Sequence, residues 1–176
     1  MKPPRFFLIG PPAAGKTTIG RRWAKYFKVP FFDTDAEIER QTGRSIEAWF
    51  QEGEGAFRKV EREVIQLLIS TNASGIWAVG GGFPAQSGAM EMLLQAGYVI
   101  WMDPPLEWLL QRWEMAQATR PLLQGRSDAE RIALVESRRR FYRAADLHWQ
   151  VAVIPEELVR RWVGMQLGAR KISLRA

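Results

Sequence analysis

The sequence predicts an α/β fold, with a five-stranded parallel sheet between two layers of helices. Three observations predict it. Short apolar runs alternate with amphipathic stretches of helical period. A glycine-rich turn joins the first apolar run to the first helical stretch. Polar and glycine residues of unusual pattern cluster where the apolar runs end, and in parallel sheets ligands sit at the carboxyl ends of strands.

In order, "RFFLIG" (5–10) reads as a buried strand, and "KTTIGRRWAKYF" (16–27) as a helix with Ile19, Trp23 and Phe27 on one face. "VPFFD" (29–33) is a second strand, and "DAEIERQTG" (35–43) a short helix stopped by Gly43. "SIEAWFQEG" (45–53) and "EGAFRKVEREVIQLLIST" (54–71) follow as helices. "GIWAVGGG" (75–82) is a third strand running into three glycines. "GAMEMLLQAG" (88–97) is a helix closed by Gly97, and "YVIWMD" (98–103) a fourth strand. "PLEWLLQRWEMA" (105–116) opens with proline, as helices often do. "TRPLLQGRSD" (119–128) is polar and arginine-bearing, and reads as a mobile segment. "DAERIALVESRRRFYRAA" (128–145), "LHWQVAV" (147–153) and "PEELVRRWVGMQL" (155–167) complete the pattern as helix, strand and helix.

The 176 residues fit one domain, and 47% apolar with 25% charged residues is ordinary for a globular chain. No apolar run is long enough to span a membrane, and the N-terminal run is too short for a secretory signal, so a soluble cytoplasmic protein is expected. The absence of cysteine excludes disulfides and thiolate–metal sites, and one histidine, His148, argues against a His-rich metal centre or a Ser–His relay. A net charge of +6 favours anionic partners without choosing among nucleotides, small acids and nucleic acid. Much of it lies in "ESRRRFYR" and "LVRRW", whose helical spacing suits solvated faces.

"GPPAAGKT" (Gly10–Thr17) fits G-x-x-x-x-G-K-[ST] between a strand and a helix, the context that the phosphate-binding P-loop pattern requires. Backbone N–H groups of such a loop cradle phosphates at a helix N-terminus, Lys16 reaches the β/γ-phosphates, and the Thr17 hydroxyl is placed for Mg²⁺. The guanine-reading N-K-x-D is absent, and so short a chain suggests a small phosphotransferase. "FFDTD" sets Asp33 and Asp35 two apart at a strand end. Two carboxylates facing one space await a metal, a hydroxyl-bearing substrate, a cationic side chain or water, unless the stretch is only a strand end followed by a helix cap, with Thr34 or Asp35 as the N-cap.

Together, "GPPAAGKTTIGRRWA", "FFDTDAEIE", "TGRSI", "FRKVERE", "GGG", "TRPLL" and "ESRRRFYRAAD" resemble the shikimate kinases, within the nucleoside-monophosphate-kinase-like P-loop proteins, over nearly the whole chain. The P-loop is unspecific, but its combination with D-T-D, F-R-x-x-E, G-G-G and R-P-L-L is highly specific. The resemblance implies a P-loop kinase fold with a mobile lid at about 118–128, ATP and Mg²⁺ as cofactors, and transfer of a phosphoryl group to the 3-hydroxyl of shikimate on the route to chorismate and the aromatic amino acids. A monomer without nucleic-acid or membrane partners is expected.

By resemblance, Ala13, Ala14, Gly15, Lys16, Thr17 and Thr18 hold the nucleotide, with Arg112 near the adenine. Arg120 is the lid arginine over the phosphates, and Asp33 joins Thr17 in the Mg²⁺ shell. Asp35 accepts hydrogen bonds from the acceptor's hydroxyls, as an ionised carboxylate is suited to do. Arg58 and Arg138 hold its carboxylate, the task for which the guanidinium fork is shaped. Glu61, three residues from Arg58 on a helix, fixes that guanidinium. Gly80, Gly81 and Gly82 line the acceptor site, Gly81 in direct contact, and Phe50 and Phe57 form an apolar wall or pack in the core. Arg139 and Arg140 read as solvated charge.

Two positions depart from the family pattern. Ala13 stands where glycine is usual, and a positive φ there carries strain. "QVAVIPEE" is short and apolar where the family has a polar, arginine-bearing adenine loop, leaving Val151, Val153 and Ile154 for apolar contact. Competing readings are a kinase of another polyhydroxy acid such as gluconate, a non-catalytic binding relative, and a nucleic-acid binder suggested by charge alone.

Overall fold

The computed structural model describes residues 4–71, 74–116 and 125–173. Among them, five strands form one parallel sheet: β1 (Arg5–Ile9), β2 (Phe31–Asp33), β3 (Gly75–Ala78), β4 (Tyr98–Asp103) and β5 (Leu147–Gln150), in the order β2-β3-β1-β4-β5. The helices are α1 (Lys16–Phe27), α2 (Thr34–Thr42), α3 (Ile46–Glu52), α4 (Glu54–Thr71), α5 (Ala89–Ala96), α6 (Leu106–Ala116), α7 (Asp128–Tyr142) and α8 (Glu156–Ser173), with a 3₁₀ turn at Phe83–Ala85. The expected α/β architecture is therefore present. None of the described helices is long and apolar enough to cross a membrane.

The strand alternation divides the core. Phe7, Ile9, Trp77, Val79, Val99 and Trp101 point to one face, where they meet Ile38 of α2, Val64, Ile65 and Leu68 of α4, and Leu93 of α5. Phe6, Leu8, Ile76, Ile100 and Met102 point to the other, against Trp23 and Ala24 of α1 and Val159 and Val163 of α8. Both faces of β1 are covered, which is why its sequence is an unbroken apolar run. Glu156 fastens α8 to α1 by accepting a hydrogen bond from Trp23 Nε1 at 2.7 Å and pairing with Arg22.

From β1 the chain crosses to the edge strand β2, comes back to lay β3 between β2 and β1, and then passes to the other side of β1 to add β4 and β5. The reversal falls beside β1, so the crevice at its carboxyl end opens between diverging connections. The P-loop, the β2–α2 junction and the glycines after β3 all face that crevice.

Several boundaries differ from expectation. The Asp33 side chain accepts from the N–H groups of Asp35 and Ala36, so α2 already begins at Thr34. β3 ends at Ala78, before the glycines. β5 stops at Gln150, because the N–H groups of Val153 and Ile154 both turn back to the Gln150 carbonyl. Ser127 caps α7 in a reciprocal capping box with Glu130, a signal present in the sequence and not used in placing that start.

At the α5–β4 joint, a Cβ on Gly97 would lie 2.4 Å from the Arg5 carbonyl oxygen, a backbone atom that cannot move aside. Gly97→Ala is expected to destabilise the fold by about 1–3 kcal/mol, the usual cost of overpacking. Urea unfolding followed by tryptophan fluorescence checks this.

Candidate active site

The loop Gly10–Thr17 leaves β1 beside β4. Gly10 has φ 140°, and a Cβ there would fall 2.4 Å from the Met102 carbonyl oxygen. Ala13 takes φ 62°, the left-handed conformation that its Cβ disfavours. Helix α6 holds the loop in that shape. Arg112 Nη1 donates to the Ala13 carbonyl at 3.1 Å, and Trp113 Nε1 donates to the Pro12 carbonyl at 3.0 Å. Trp113 is fully enclosed, packing with Leu109 and Val135. Lys16 folds back over the loop, its ammonium donating to the carbonyls of Gly10 and Pro11 at 2.9 and 2.8 Å. The N-terminus of α1 adds partial positive charge at the same place.

Asp33 and Asp35 reach one cavity by different routes. Asp33 ends β2 and accepts a hydrogen bond from Thr17 Oγ1 at 2.6 Å, while its other oxygen caps α2. Asp35 lies in the first turn of α2, so strand alternation is not what brings the two together. Asp33 is thus both a helix cap and a neighbour of the P-loop threonine.

Helix α4 supplies the other side. Arg58 Nη1 meets Glu61 Oε2 at 2.8 Å, and Glu54 holds the same guanidinium at 2.9 Å through Nη2. Glu61 is 1% exposed and also accepts from Gln86 Nε2 at 2.7 Å. The glycines after β3 are pressed against this group. A Cβ on Gly80 would lie 2.7 Å from Glu61 Oε1 and 2.9 Å from Asp35 Oδ1, and one on Gly82 would lie 2.4 Å from the Arg58 guanidinium. Thr34 Oγ1 accepts from the Gly80 N–H at 2.9 Å, and Tyr142 Oη donates to the Gly81 carbonyl at 2.7 Å. Arg138 of α7 is 6% exposed, and its Nη1 has no hydrogen-bond partner among the described residues. A buried guanidinium nitrogen in that condition is costly and calls for an acceptor.

Burial governs the electrostatics. It drives Glu61 up to about 7, against the pull of Arg58, and Asp35 nearby adds to the rise. Burial lowers the Arg138 guanidinium from its usual value, and the Arg58 cation adds to the effect. The Tyr142 phenol is pushed up to about 12, chiefly by burial, and so stays protonated as a donor.

A single cavity of about 820 Å³ runs from the P-loop to α4. Ala13 through Thr18, Asp33, Asp35, Arg58, Glu61, Gly80–Gly82 and Arg112 all line it, together with Phe50 and Phe57. Those two rings pack at 4.6 Å between centroids, tilted by 33°, and lie near the Arg58 guanidinium, so they serve as wall and core at once. Arg138, expected in the same site, is buried behind these residues and does not line the cavity, although its charge and that of Arg58 act on each other. Arg120, the candidate lid arginine, lies outside the described residues, as does most of the 118–128 segment. Arg112 is tied to the P-loop carbonyl. Of the three apolar residues expected at the base, Val151 lines the cavity, whereas Val153 is 72% exposed. Arg139 is not solvated charge, since it pairs with Asp103 at 2.6 Å. Asp33, not Thr34 or Asp35, is the N-cap of α2, and Thr34 instead holds the Gly80 N–H; the partners of Thr34, Gln86 and Asp103 are far away along the chain and leave no local pattern.

Ala13→Gly removes the Cβ from a left-handed residue. The relief of about 1–2 kcal/mol exceeds the extra unfolded-state freedom of glycine, about 0.4–1 kcal/mol. A net gain in stability of about 1 kcal/mol is expected by urea unfolding. Glu61 gives a pH prediction. Its folded value of about 7 lies above the ordinary 4.5, so the native state holds the extra proton. The stability it contributes is complete below about 4.5 and is lost as pH rises through about 7. Glu61→Gln should flatten the fall in urea midpoint between pH 5 and pH 8, and a slope equal to the parent's would refute the raised value.

Comparison with known proteins agrees with this geometry. A family model described as shikimate kinase matches residues 12–162. The shikimate kinase of Rhodococcus jostii is 40% identical over 142 residues, covering 80% of this chain and 83% of the relative. That of Zymomonas mobilis is 40% identical over 155 residues, covering 86% and 87%. The structure of shikimate kinase from Acinetobacter baumannii in complex with shikimate superposes with a TM-score of 0.82 at 34% identity, covering 96% of this chain and 94% of that one. The Aquifex aeolicus shikimate kinase superposes with a TM-score of 0.76 at 30% identity, covering 95% and 98%. With most of its length matched by the family model and by these relatives, the chain belongs to the shikimate kinase family.

Proposed function

We propose that this chain carries out its family's ATP-dependent phosphorylation of shikimate at the 3-hydroxyl, with the two halves of the single cavity dividing the work. The observation that carries this reading is the continuity of that cavity. Lys16 and Thr17 line one end and Asp35, Arg58 and Glu61 the other, so a phosphate donor and a polyhydroxy acid can meet in one space.

At the phosphate end the P-loop and α1 receive the ATP phosphates. Lys16 leaves its loop carbonyls for the oxygens of the transferring group, where its charge counts most. Thr17 Oγ1 and Asp33 Oδ2, 2.6 Å apart, are hard oxygen donors of the kind Mg²⁺ prefers, and they fit it as direct or water-mediated ligands. Mg²⁺ bound there supplies charge neutralisation for the phosphate oxygens.

At the acceptor end Arg58 and Arg138 take the carboxylate, which answers the unpartnered Arg138 nitrogen. Glu61, Glu54 and Gln86 brace Arg58 or its partner carboxylate from behind. Asp35 accepts from the hydroxyls and orients the one that attacks. The new bond forms between that oxygen and the γ-phosphorus as the bond to the ADP oxygen breaks, and the hydroxyl proton passes to Asp35 or to solvent.

The test is a coupled ADP-release assay with shikimate, quinate and gluconate side by side. Turnover on shikimate is expected, and turnover confined to gluconate would overturn the reading. Arg58→Ala and Arg138→Ala should each weaken shikimate binding by about 1.5–3 kcal/mol, the range for hydrogen bonds to charged groups, with ATP binding little changed. Loss of ATP affinity with shikimate binding intact would mean that the two ends are exchanged.

A further inference from the structure

The three consecutive arginines of α7 have three different surroundings. Arg138 is buried beside the acceptor end of the cavity. Arg140 lies over the Phe141 ring. Arg139 reaches the end of β4, where its Nη2 meets Asp103 Oδ1 at 2.6 Å. The second oxygen of Asp103 is 2.8 Å from His148 Nε2. The Asp103 side chain is only 11% exposed, so both its oxygens are committed in a sheltered place. Trp101 forms the floor. His148, its register partner on β5, stacks on it at 3.9 Å and 7°, and the Arg139 guanidinium lies 5.5 Å from its ring. Glu136 lies 3.2 Å from Arg139 Nε within α7, an ion pair by distance that makes no hydrogen bond to that nitrogen. Trp101 also meets Tyr142, whose hydroxyl holds the Gly81 carbonyl.

The last turn of α7 is thus gripped at two points, by Asp103 through Arg139 and by Gly81 through Tyr142. Neighbouring residues on a helix are turned by about 100° from one another. A helix held by Arg139 cannot rotate about its axis without carrying Arg138 away from the cavity. None of Asp103, Arg138, Arg139 and His148 lines the cavity, but the Arg138 charge is felt by Arg58 and Glu61, which do, whereas Arg139 spends its charge on Asp103. We infer that Arg139 is a positioning residue for the acceptor. Its clasp on Asp103, whose other oxygen His148 holds, fixes the rotation of α7 and so aims Arg138 at the acceptor's carboxylate. This inference rests on the proposed role of Arg138. An exposed ion pair would contribute little. Here only Asp103 is sheltered, with Arg139 and His148 about one third and two fifths exposed, so the consequence of the clasp is orientation rather than stability.

The experiment measures KM for shikimate and for ATP in Arg139→Met, Asp103→Asn and the double variant, with Arg138→Ala alongside. Each single change should raise the shikimate KM by about three- to tenfold, with the ATP KM within about twofold, and the double variant should be no worse than the poorer single one. Arg139→Lys, which keeps the charge, should recover most of the loss. It carries the test if Asp103→Asn folds poorly. The clasp is overturned if Arg139→Met leaves the shikimate KM unmoved while Arg138→Ala raises it. Multiplying effects in the double variant, or a parallel rise in ATP KM, overturn it as well. If Arg138→Ala itself has no effect on shikimate, the role of Arg138 fails first and the clasp falls with it.

Discussion

A carboxylate shut away from water must be surrounded by donors, and much of the acceptor end of this site is the surrounding of Glu61. With 1% of its surface exposed, Glu61 draws Arg58 across one turn of α4 and Gln86 from the far side of the 3₁₀ turn. The same crowding excludes a side chain at Gly80 and at Gly82, because a Cβ would occupy the space of Glu61, Asp35 or the Arg58 guanidinium. The glycine run, the helix and the turn are therefore not separate motifs. They form one packed unit whose interior is an ion pair, and breaking one partner of such a pair leaves an uncompensated charge.

The phosphate end depends on a different constraint. Its loop contains an alanine in a left-handed conformation, which the local sequence disfavours. Tertiary contacts make up the difference. Arg112 and Trp113 of α6 each hold a loop carbonyl, and Trp113 is anchored by Leu109 and Val135. A residue expected to lie beside a nucleotide base is thus engaged in shaping the loop that receives the phosphates. The two ends meet through Asp33, which caps α2 with one oxygen and bonds Thr17 with the other.

Most of the architecture was legible from the chain. The period of the apolar residues located five strands and the helices between them, because burial on two faces leaves unbroken runs and burial on one leaves a stripe. Glycine and capping signals located most ends. Where an end was misplaced, a side chain or carbonyl had taken an unexpected partner, as Asp33 did at the start of α2 and Gln150 at the end of β5. The candidate residues that line the cavity were legible through their spacing, which resembles that of the shikimate kinases. Composition by itself had left nucleotides, acids and nucleic acid open.

The sequence alone determined the order of elements, the P-loop and the set of charged residues around it, since these rest on near neighbours along the chain. Tertiary structure decided which of those charges meet. Arg139 joins Asp103 across 36 residues, Gln86 reaches Glu61 across 25, and Tyr142 reaches Gly81 across 61. Such pairs carry no local signature. Each exists because a parallel sheet lays strands distant in sequence side by side and turns their carboxyl ends toward one crevice.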